Sequence, residues 1–263
     1  GSLPQGPWLL LGKRDQDLSS AIFRLTLAGG QGAQPQLLKE GAKLYGGFLK
    51  AKRADTLLYT QQSFEEFPDL WQSDLSLAQA KRISHVNPQQ ARFRWGTQEL
   101  VTFKTADGQT QRAVLTKPED FDPKKKYPLM VYIYEKMTDN LHRHAVPAPG
   151  QNINPTRYVS NGYLVLTPDI VYTLGNPGQS ALKCVLPAIQ AVVDRGGVDG
   201  LVTLENLLEA LVGENLPERF GPGARVGRHR KRGFNRRAFR TTAYHVGCGF
   251  ITQNQRQRTQ NHR

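Results

Sequence analysis

The sequence has few cysteines and no long apolar run. Two of its 263 residues are cysteine, Cys184 and Cys248, too few for the disulfide framework of a small secreted domain. Cys184 lies among apolar residues, which is typical of a buried structural thiol. Cys248 lies in a glycine-rich stretch, and a disulfide between the two stays open. No apolar run approaches the roughly 20 residues of a membrane span.

The N-terminus shows no basic segment leading into an apolar one, so no signal peptide is visible. Together with a hydrophobic content of 38%, this predicts a soluble chain that does not contact a membrane. Its length allows one or two domains with a real core. The sequence does not indicate the compartment or the oligomeric state.

Acidic residues are missing from the C-terminal segment. Residues 225–263 contain eleven Lys and Arg and no Asp or Glu, whereas the other 224 residues carry 24 basic and 22 acidic side chains. Of the formal net charge of +13, +11 therefore belongs to this segment, and the rest of the chain is nearly neutral. Few apolar residues cluster there, so the composition predicts a disordered basic tail over residues 228–263.

Two interpretations of this tail stay open. Its basic side chains, densest in residues 228–240, are suited to nucleic-acid phosphates, and Phe234, Phe239 and Tyr244 are suited to stacking on bases. An abrupt change of composition is also what an out-of-frame or mis-spliced segment produces, and we favour this interpretation. Translating the DNA beyond codon 199 in all three frames distinguishes the two.

Short strands separated by turn residues fill the first part of the chain. The pattern predicts strands at residues 8–12, 21–27, 48–51, 56–60 and 70–74, with a loop at 29–36. Such spacing is typical of an antiparallel sheet, a sandwich or a propeller blade.

A different pattern begins near residue 96. A hairpin is predicted from strands at 100–104 and 112–115 around Asp107 and Gly108. Continuous apolar runs at 128–134 and 163–166 predict strands that are buried on both faces.

Helical spacing follows over residues 180–194, with Pro187 as a kink or restart and Gly196-Gly197 as the end. This order is that of an α/β fold. A leucine stripe then predicts an inserted surface helix at about residues 200–223.

A series of segments in one order resembles the prolyl oligopeptidase family of serine peptidases, dipeptidyl peptidases included. The segments are VLTKPEDFDP at 114–123, KKKYP at 124–128, YEK at 134–136, PAP at 147–149, NGY at 161–163, PDI at 168–170 and GNPGQS at 175–180. The resemblance implies the last blade or blades of an incomplete β-propeller over residues 1–95. It also implies the N-terminal part of an α/β-hydrolase domain over residues 96–227. The expected fold is therefore a truncated α/β-hydrolase preceded by antiparallel propeller strands.

The family hydrolyses peptide bonds through a Ser-Asp-His triad, with the serine in a Gly-x-Ser-x-Gly elbow after a short strand. Here ARVG at 224–227 resembles that strand, and RHRKR follows at 228–232 in place of the elbow. The resemblance thus implies a fragment related to peptide-hydrolysing enzymes that lacks nucleophile, acid and base and is inactive as given. It implies no cofactor and no metal. The alternatives are a nucleic-acid-binding or a non-catalytic interaction protein.

By the same resemblance, Tyr134 takes the oxyanion-hole position at the end of the strand predicted over 128–134. A phenol hydroxyl aimed at a developing oxyanion stabilises the transition state of peptide hydrolysis. Tyr132 has the same strand parity, so spacing alone does not separate the two. Ser180, in GQSAL, lacks the second glycine of an elbow and is interpreted as a helix N-cap.

Two further pairs carry ionisable groups. His142 and His144 form an H-x-H pair of the kind that binds zinc, but no third ligand is evident nearby, so solvated loop histidines are predicted. Glu65 and Glu66 resemble the substrate-amine anchors of some relatives. Their local context differs, so that role is not assigned to them.

Overall fold

The computed structural model describes residues 7–26, 34–148 and 153–202. Its strands are β1 (Trp8–Lys13), β2 (Ser20–Leu25), β3 (Gln36–Gly41), β4 (Leu44–Lys50), β5 (Thr56–Gln62), β6 (Asp69–Asp74), β7 (Lys81–Arg82), β8 (Thr97–Lys104), β9 (Thr110–Lys117), β10 (Tyr127–Val131), β11 (Leu164–Pro168) and β12 (Val198–Val202). Its helices are α1 (Pro155–Val159), α2 (Pro177–Val193) and the short 3-10 helices Pro88–Arg92 and Thr138–Asn140.

The first seven strands form two antiparallel sheets, in the orders β1-β2-β3 and β4-β5-β6-β7. In β5 the alternation of the sequence places Leu57 and Tyr59 on the buried face. Their side chains pack with Ile22, Tyr45 and Leu77 in one apolar cluster that joins the two sheets. The N-terminal sheets therefore share a core of their own.

The third sheet is mixed, with the strand order β12-β10-β11-β9-β8. β10 is parallel to both β11 and β12, whereas β9 is antiparallel to β11 and to β8. All five residues of β11 are buried, as expected of a central strand covered on both faces. The strands β10, β11 and β12 consequently end at the same edge of this sheet.

Helix α2 covers one face of the mixed sheet. It begins with Pro177, whose ring suits the first helical position. Its buried residues include Cys184, Val185, Ala188 and Val192. Ala188 follows the first two by four and three residues, and Val192 follows Ala188 by four, so they share one side of the helix. Together with the apolar side chains of the sheet they form the main core.

The turn between β1 and β2 reaches the opposite face of the mixed sheet. Leu18, in this turn, adopts a positive φ of 58°, which is unusual for a residue with a branched side chain. Its side chain is buried against Val114 of β9 and Leu141. The N-terminal sheets and the mixed sheet therefore meet along a packed seam.

Most of the predicted elements are confirmed. Each predicted strand of the first region and the 100–115 hairpin is present with small shifts of boundary, α2 continues through Pro187, and Cys184 is fully buried. β3 and β7 were not predicted. Of the loop predicted at 29–36, residues 29–33 lie outside the described residues, and Gln36 begins β3.

Two boundaries were wrong. The strand predicted over 128–134 ends at Val131. The N–H of Tyr132 still donates to the Leu166 carbonyl of β11, and beyond it the chain leaves the sheet. Residues 200–202 belong to β12, not to a helix, because they pair with β10. The rest of the predicted 200–223 helix, the ARVG segment, the basic tail and Cys248 lie outside the described residues.

The expected fold class is confirmed in its coarser part: in the described residues, antiparallel strand pairs predominate and helices are few. None of the helices in the described part of the chain is both long enough and apolar enough to span a membrane.

Candidate functional site

The carboxyl ends of β10 and β11 present two adjacent loops, residues 132–141 and 169–176. In open sheets with parallel strands, ligands bind in the crevice outside this edge. The first loop carries Tyr134, and the second carries Asp169 and leads to α2, which contains Ser180. Of the candidates predicted from the sequence, Tyr134 and Ser180 are therefore the ones near this edge.

Asp169 fastens the two loops together. Its buried carboxylate accepts hydrogen bonds from the backbone N–H of Met137 at 2.7 Å and of Thr138 at 2.9 Å, and another from the Thr138 hydroxyl. Charge-assisted bonds of this kind are stronger than neutral ones. Asp169 belongs to the PDI segment at 168–170, and no role was predicted for it from the sequence. A carboxylate directly after an apolar strand was the available signal.

The backbone around Tyr134 is also held from the second loop. The Tyr172 hydroxyl donates to the Tyr134 carbonyl at 2.7 Å, and the N–H of Ile170 donates to the Glu135 carbonyl at 3.0 Å. The Tyr134 side chain itself is 65% exposed. Its phenol is therefore presented to solvent from an anchored main chain, three residues beyond the end of β10.

Tyr132 and Tyr134 differ in environment although their strand parity is the same. Tyr132 is half-buried, and burial raises the pKa of its phenol, with the charge of Tyr134 as a smaller cause. Exposure thus separates the two tyrosines where spacing did not, and it favours Tyr134 as the group that a ligand can reach.

The prediction for Ser180 needs a correction. The N-cap position of α2 is Asn176, whose side chain makes no capping hydrogen bond, and Ser180 lies in the first turn of the helix. Its hydroxyl donates to the Asn176 carbonyl at 2.7 Å and accepts from the Thr173 N–H at 2.9 Å. The side chain is 2% exposed. A capping role fails because the helix begins three residues earlier than predicted, at Pro177.

The histidine pair is not a solvated loop feature, which contradicts the prediction for His144. His144 is buried, its ring stacks on Trp95 at 4.8 Å between centroids, and its Nδ1 lies 3.1 Å from the Phe64 carbonyl oxygen. His142 is half-buried, with Nε2 3.3 Å from the carbonyl oxygen of Asp17. Burial lowers the pKa of both imidazoles. The pair joins the two regions of the chain across the seam.

The remaining ionisable candidates lie apart from this edge. Glu65 and Glu66 are exposed, and Glu66 forms an ion pair with Lys43. Among residues 7–26, 34–148 and 153–202, no group of three His, Cys, Asp or Glu side chains is placed to hold a metal ion.

No protein-family model matches the sequence. Solved structures do resemble the chain. A structure of the isopeptidase AtxE2 with Astexin3-dC4 bound is 16% identical, with a TM-score of 0.56 over 80% of this chain and 35% of that one. Dipeptidyl peptidase 4 of Porphyromonas gingivalis is 16% identical, with a TM-score of 0.51 over 76% of this chain and 32% of its own.

A third structure comes from a study of two prolyl endopeptidases and the role of their inter-domain dynamics in catalysis and specificity. It is 15% identical, with a TM-score of 0.50, and the match covers 76% of this chain and 30% of that one. The chain thus spans about a third of the length of the structures that it matches. At this identity the likeness concerns the fold, and at that level it confirms the resemblance to prolyl oligopeptidase relatives.

Proposed function

We propose that the chain derives from a serine peptidase of the prolyl oligopeptidase type and that, as its 263 residues stand, it does not cleave peptides. Residues 1–95 would represent part of a β-propeller, and residues 96–227 the first part of an α/β-hydrolase domain. The order β8-β9-β11-β10-β12, with one antiparallel strand inside the sheet, supports this assignment. The likeness to solved peptidases over a third of their length supports it as well.

One observation carries the proposal: Ser180, the serine whose context most resembles an elbow, is buried in a helix with its hydroxyl engaged twice. A nucleophilic serine has to be exposed on a sharp strand-to-helix turn beside a general base. Neither condition holds at Ser180. The sequence contains no Gly-x-Ser-x-Gly.

Tyr134 is the residue we assign to the binding of a peptide carbonyl. Its exposed phenol, on a main chain anchored by Tyr172 and Ile170, is suited to donating a hydrogen bond at the edge where ligands bind. Such a donor stabilises charge that an attacking group creates. Without that group it supports binding of a peptide but no turnover.

A hydrolysis assay tests the proposal. The full chain is incubated with peptidyl p-nitroanilides that end in proline, alanine, lysine or arginine, and chromophore release is compared with buffer. We expect release at the background rate, unchanged in Ser180→Ala. Release well above background that copurifies with the chain and disappears in Ser180→Ala would overturn the proposal.

The segregated charge supports a second candidate, a nucleic-acid-binding module. The eleven basic and no acidic residues of 225–263 give this segment a strong positive charge, and binding through it would weaken steeply with salt. A chain that ends at residue 227 tests this. Loss of binding to labelled duplex DNA upon this deletion favours the module, whereas equal binding, or none in either chain, argues against it.

A further inference from the structure

The segment 138–144, here called the seam loop, contacts the N-terminal sheets at several points. Lys13 forms an ion pair with Asp139 at 3.2 Å, and Leu18 packs against Leu141. The imidazole of His142 reaches the carbonyl of Asp17. The seam loop thus holds the β1–β2 turn against the mixed sheet.

His144 ends the seam loop and makes its most enclosed contacts. Its backbone N–H donates to the side chain of Gln62 at 3.0 Å. Its ring lies almost parallel to Trp95, with 10° between the planes, and Phe67 meets it edge-on at 5.3 Å. The Phe64 carbonyl accepts from Trp95 Nε1 at 2.6 Å and also faces His144 Nδ1 at 3.1 Å. One carbonyl oxygen therefore joins both rings.

This geometry assigns the proton on the ring. A carbonyl oxygen only accepts, so Nδ1 carries the hydrogen. Nε2 is then the unprotonated nitrogen, and within the described residues it is buried without a hydrogen-bond partner. A proton added there would create a cation with an unsatisfied donor in an apolar enclosure, which is strongly unfavourable.

The groups that face the His144 ring offer little stabilisation to a positive charge on it. From the 62–67 segment they are Gln62, Phe64 and Phe67, none of which titrates near neutral pH. Glu66 of that segment is paired with Lys43.

The other two elements at the ring are the Trp95 segment and the seam loop itself. The carboxylate of Glu119 accepts from the backbone N–H of Trp95 at 3.3 Å, whereas Arg143 of the seam loop is exposed. The indole face attracts a cation, but burial prevails, since it holds the pKa of His144 below the ordinary value of 6.5.

We propose that the seam loop is a proton-sensitive latch, which holds the N-terminal sheets on the mixed sheet while His144 is neutral and releases them when His144 is protonated. This latch is separate from the proposed function and does not depend on it. The separated state binds the proton more readily, so the stabilisation of the closed state is fully present above pH 6.5 and decreases as the pH falls below it.

Release has a route to the candidate site. The seam loop begins at Thr138, whose backbone N–H and hydroxyl donate to Asp169. Tyr134 lies four residues before Thr138, between the end of β10 and the seam loop. Movement of the seam loop would therefore free the anchored edge as well as the seam.

NMR of the full 15N-labelled chain tests the latch. The 15N shifts of His144 report its protonation, and hydrogen exchange of the Trp95 indole N–H reports the seam. Between pH 7.5 and 5.5 we expect the protection of this indole, after correction for intrinsic exchange, to fall, because the separated state takes up the proton more readily than the closed state. The amides of β5 and β8 should keep their protection.

Variants complete the test. His144→Asn places a side-chain N–H near the Phe64 carbonyl but does not titrate, so its indole protection should stay constant across this pH range. His144→Phe, which keeps the ring stack, should also lose the pH response. His85→Gln removes an exposed imidazole that contacts Arg82 and should behave as the unaltered chain.

Three results would overturn the latch: protonation of His144 with unchanged indole protection, an undiminished pH response in His144→Asn, or simultaneous loss of protection in β5 and β8.

Discussion

The backbone N–H of Ala106 donates to the carbonyl oxygen of Lys183 at 3.0 Å. Pro187 lies four residues later in α2. Because proline has no N–H, it leaves the Lys183 carbonyl without a hydrogen-bond partner in the helix. The Lys183 ammonium also pairs with Asp107 at 3.0 Å. The proline thus frees a carbonyl that fastens the β8–β9 turn to the helix.

Replacing this proline should stabilise the protein. Pro187→Ala restores the helical N–H, and the Lys183 carbonyl has a second lone pair with which to keep Ala106. Proline in a helix interior costs about 3 kcal/mol, partly offset by the stiffer unfolded chain, so we expect a gain of about 1–2 kcal/mol. Urea unfolding measures it. A loss of stability would show that the ring is needed for the packing of α2.

The Asp169 carboxylate should be essential to the loop that carries Tyr134. Asp169→Ala leaves three donors of Met137 and Thr138 unpaired, and we expect a loss of roughly 3 kcal/mol in the free energy of unfolding. Asp169→Asn keeps an acceptor for the two backbone N–H groups and should lose about half as much. Equal stability of the alanine variant and the unaltered chain would contradict this account of the site.

Gly96 lies at the start of the mixed sheet with a φ of +89°, and a Cβ there would come within 2.6 Å of both the Lys117 carbonyl oxygen and Val159. Gly96→Ala should cost about 3 kcal/mol, from backbone strain and overpacking together. Gly108→Ala is the matched control, because φ is +82° but the surrounding space is open. There we expect about 1 kcal/mol. Similar losses at both positions would mean that the contacts at Gly96 relax freely.

Tyr59 should be dispensable at neutral pH. Its hydroxyl is buried without a hydrogen-bond partner in the described part of the chain, and burial raises its pKa to about 12, with Tyr45 as a lesser cause. Tyr59→Phe should therefore leave stability unchanged or raise it by about 1 kcal/mol. A marked loss would indicate that the hydroxyl has a partner.

The same shift predicts a pH dependence. Burial disfavours the phenolate of Tyr59, so the fold carries no penalty from this group below pH 10 and loses stability as the pH rises from 10 to about 12. Urea unfolding at pH 7 and 11 should show a smaller loss in Tyr59→Phe than in the unaltered chain. Identical losses would contradict the assigned burial.

Strand alternation and apolar runs were sufficient to predict most of the fold. In β5 and β11, local periodicity and burial agree, so the sequence pattern is decisive. β3 carries Lys39 and Glu40 and has no buried residue, so its sequence lacks a clear apolar alternation. Its pairing with β2 supplies the order that its own sequence does not indicate.

The candidate site was predicted only in part, because it too depends on contacts between residues far apart in the sequence. Tyr134 was found through a resemblance, and its placement beyond β10 depends on hydrogen bonds to Tyr172 and Ile170, more than 30 residues away. The burial of His144 depends on Trp95 and Phe64. No local pattern encodes such long-range contacts.

Labelling with a serine-directed fluorophosphonate tests the central claim most directly. The purified full chain is treated with an excess of probe, and intact-mass spectrometry measures the modified fraction, with chymotrypsin as the positive control. We predict no adduct, because the elbow-like serine, Ser180, is 2% exposed and bonded to Asn176 and Thr173. Stoichiometric labelling that maps to Ser180 and disappears in Ser180→Ala would contradict the account and identify the chain as an active serine hydrolase.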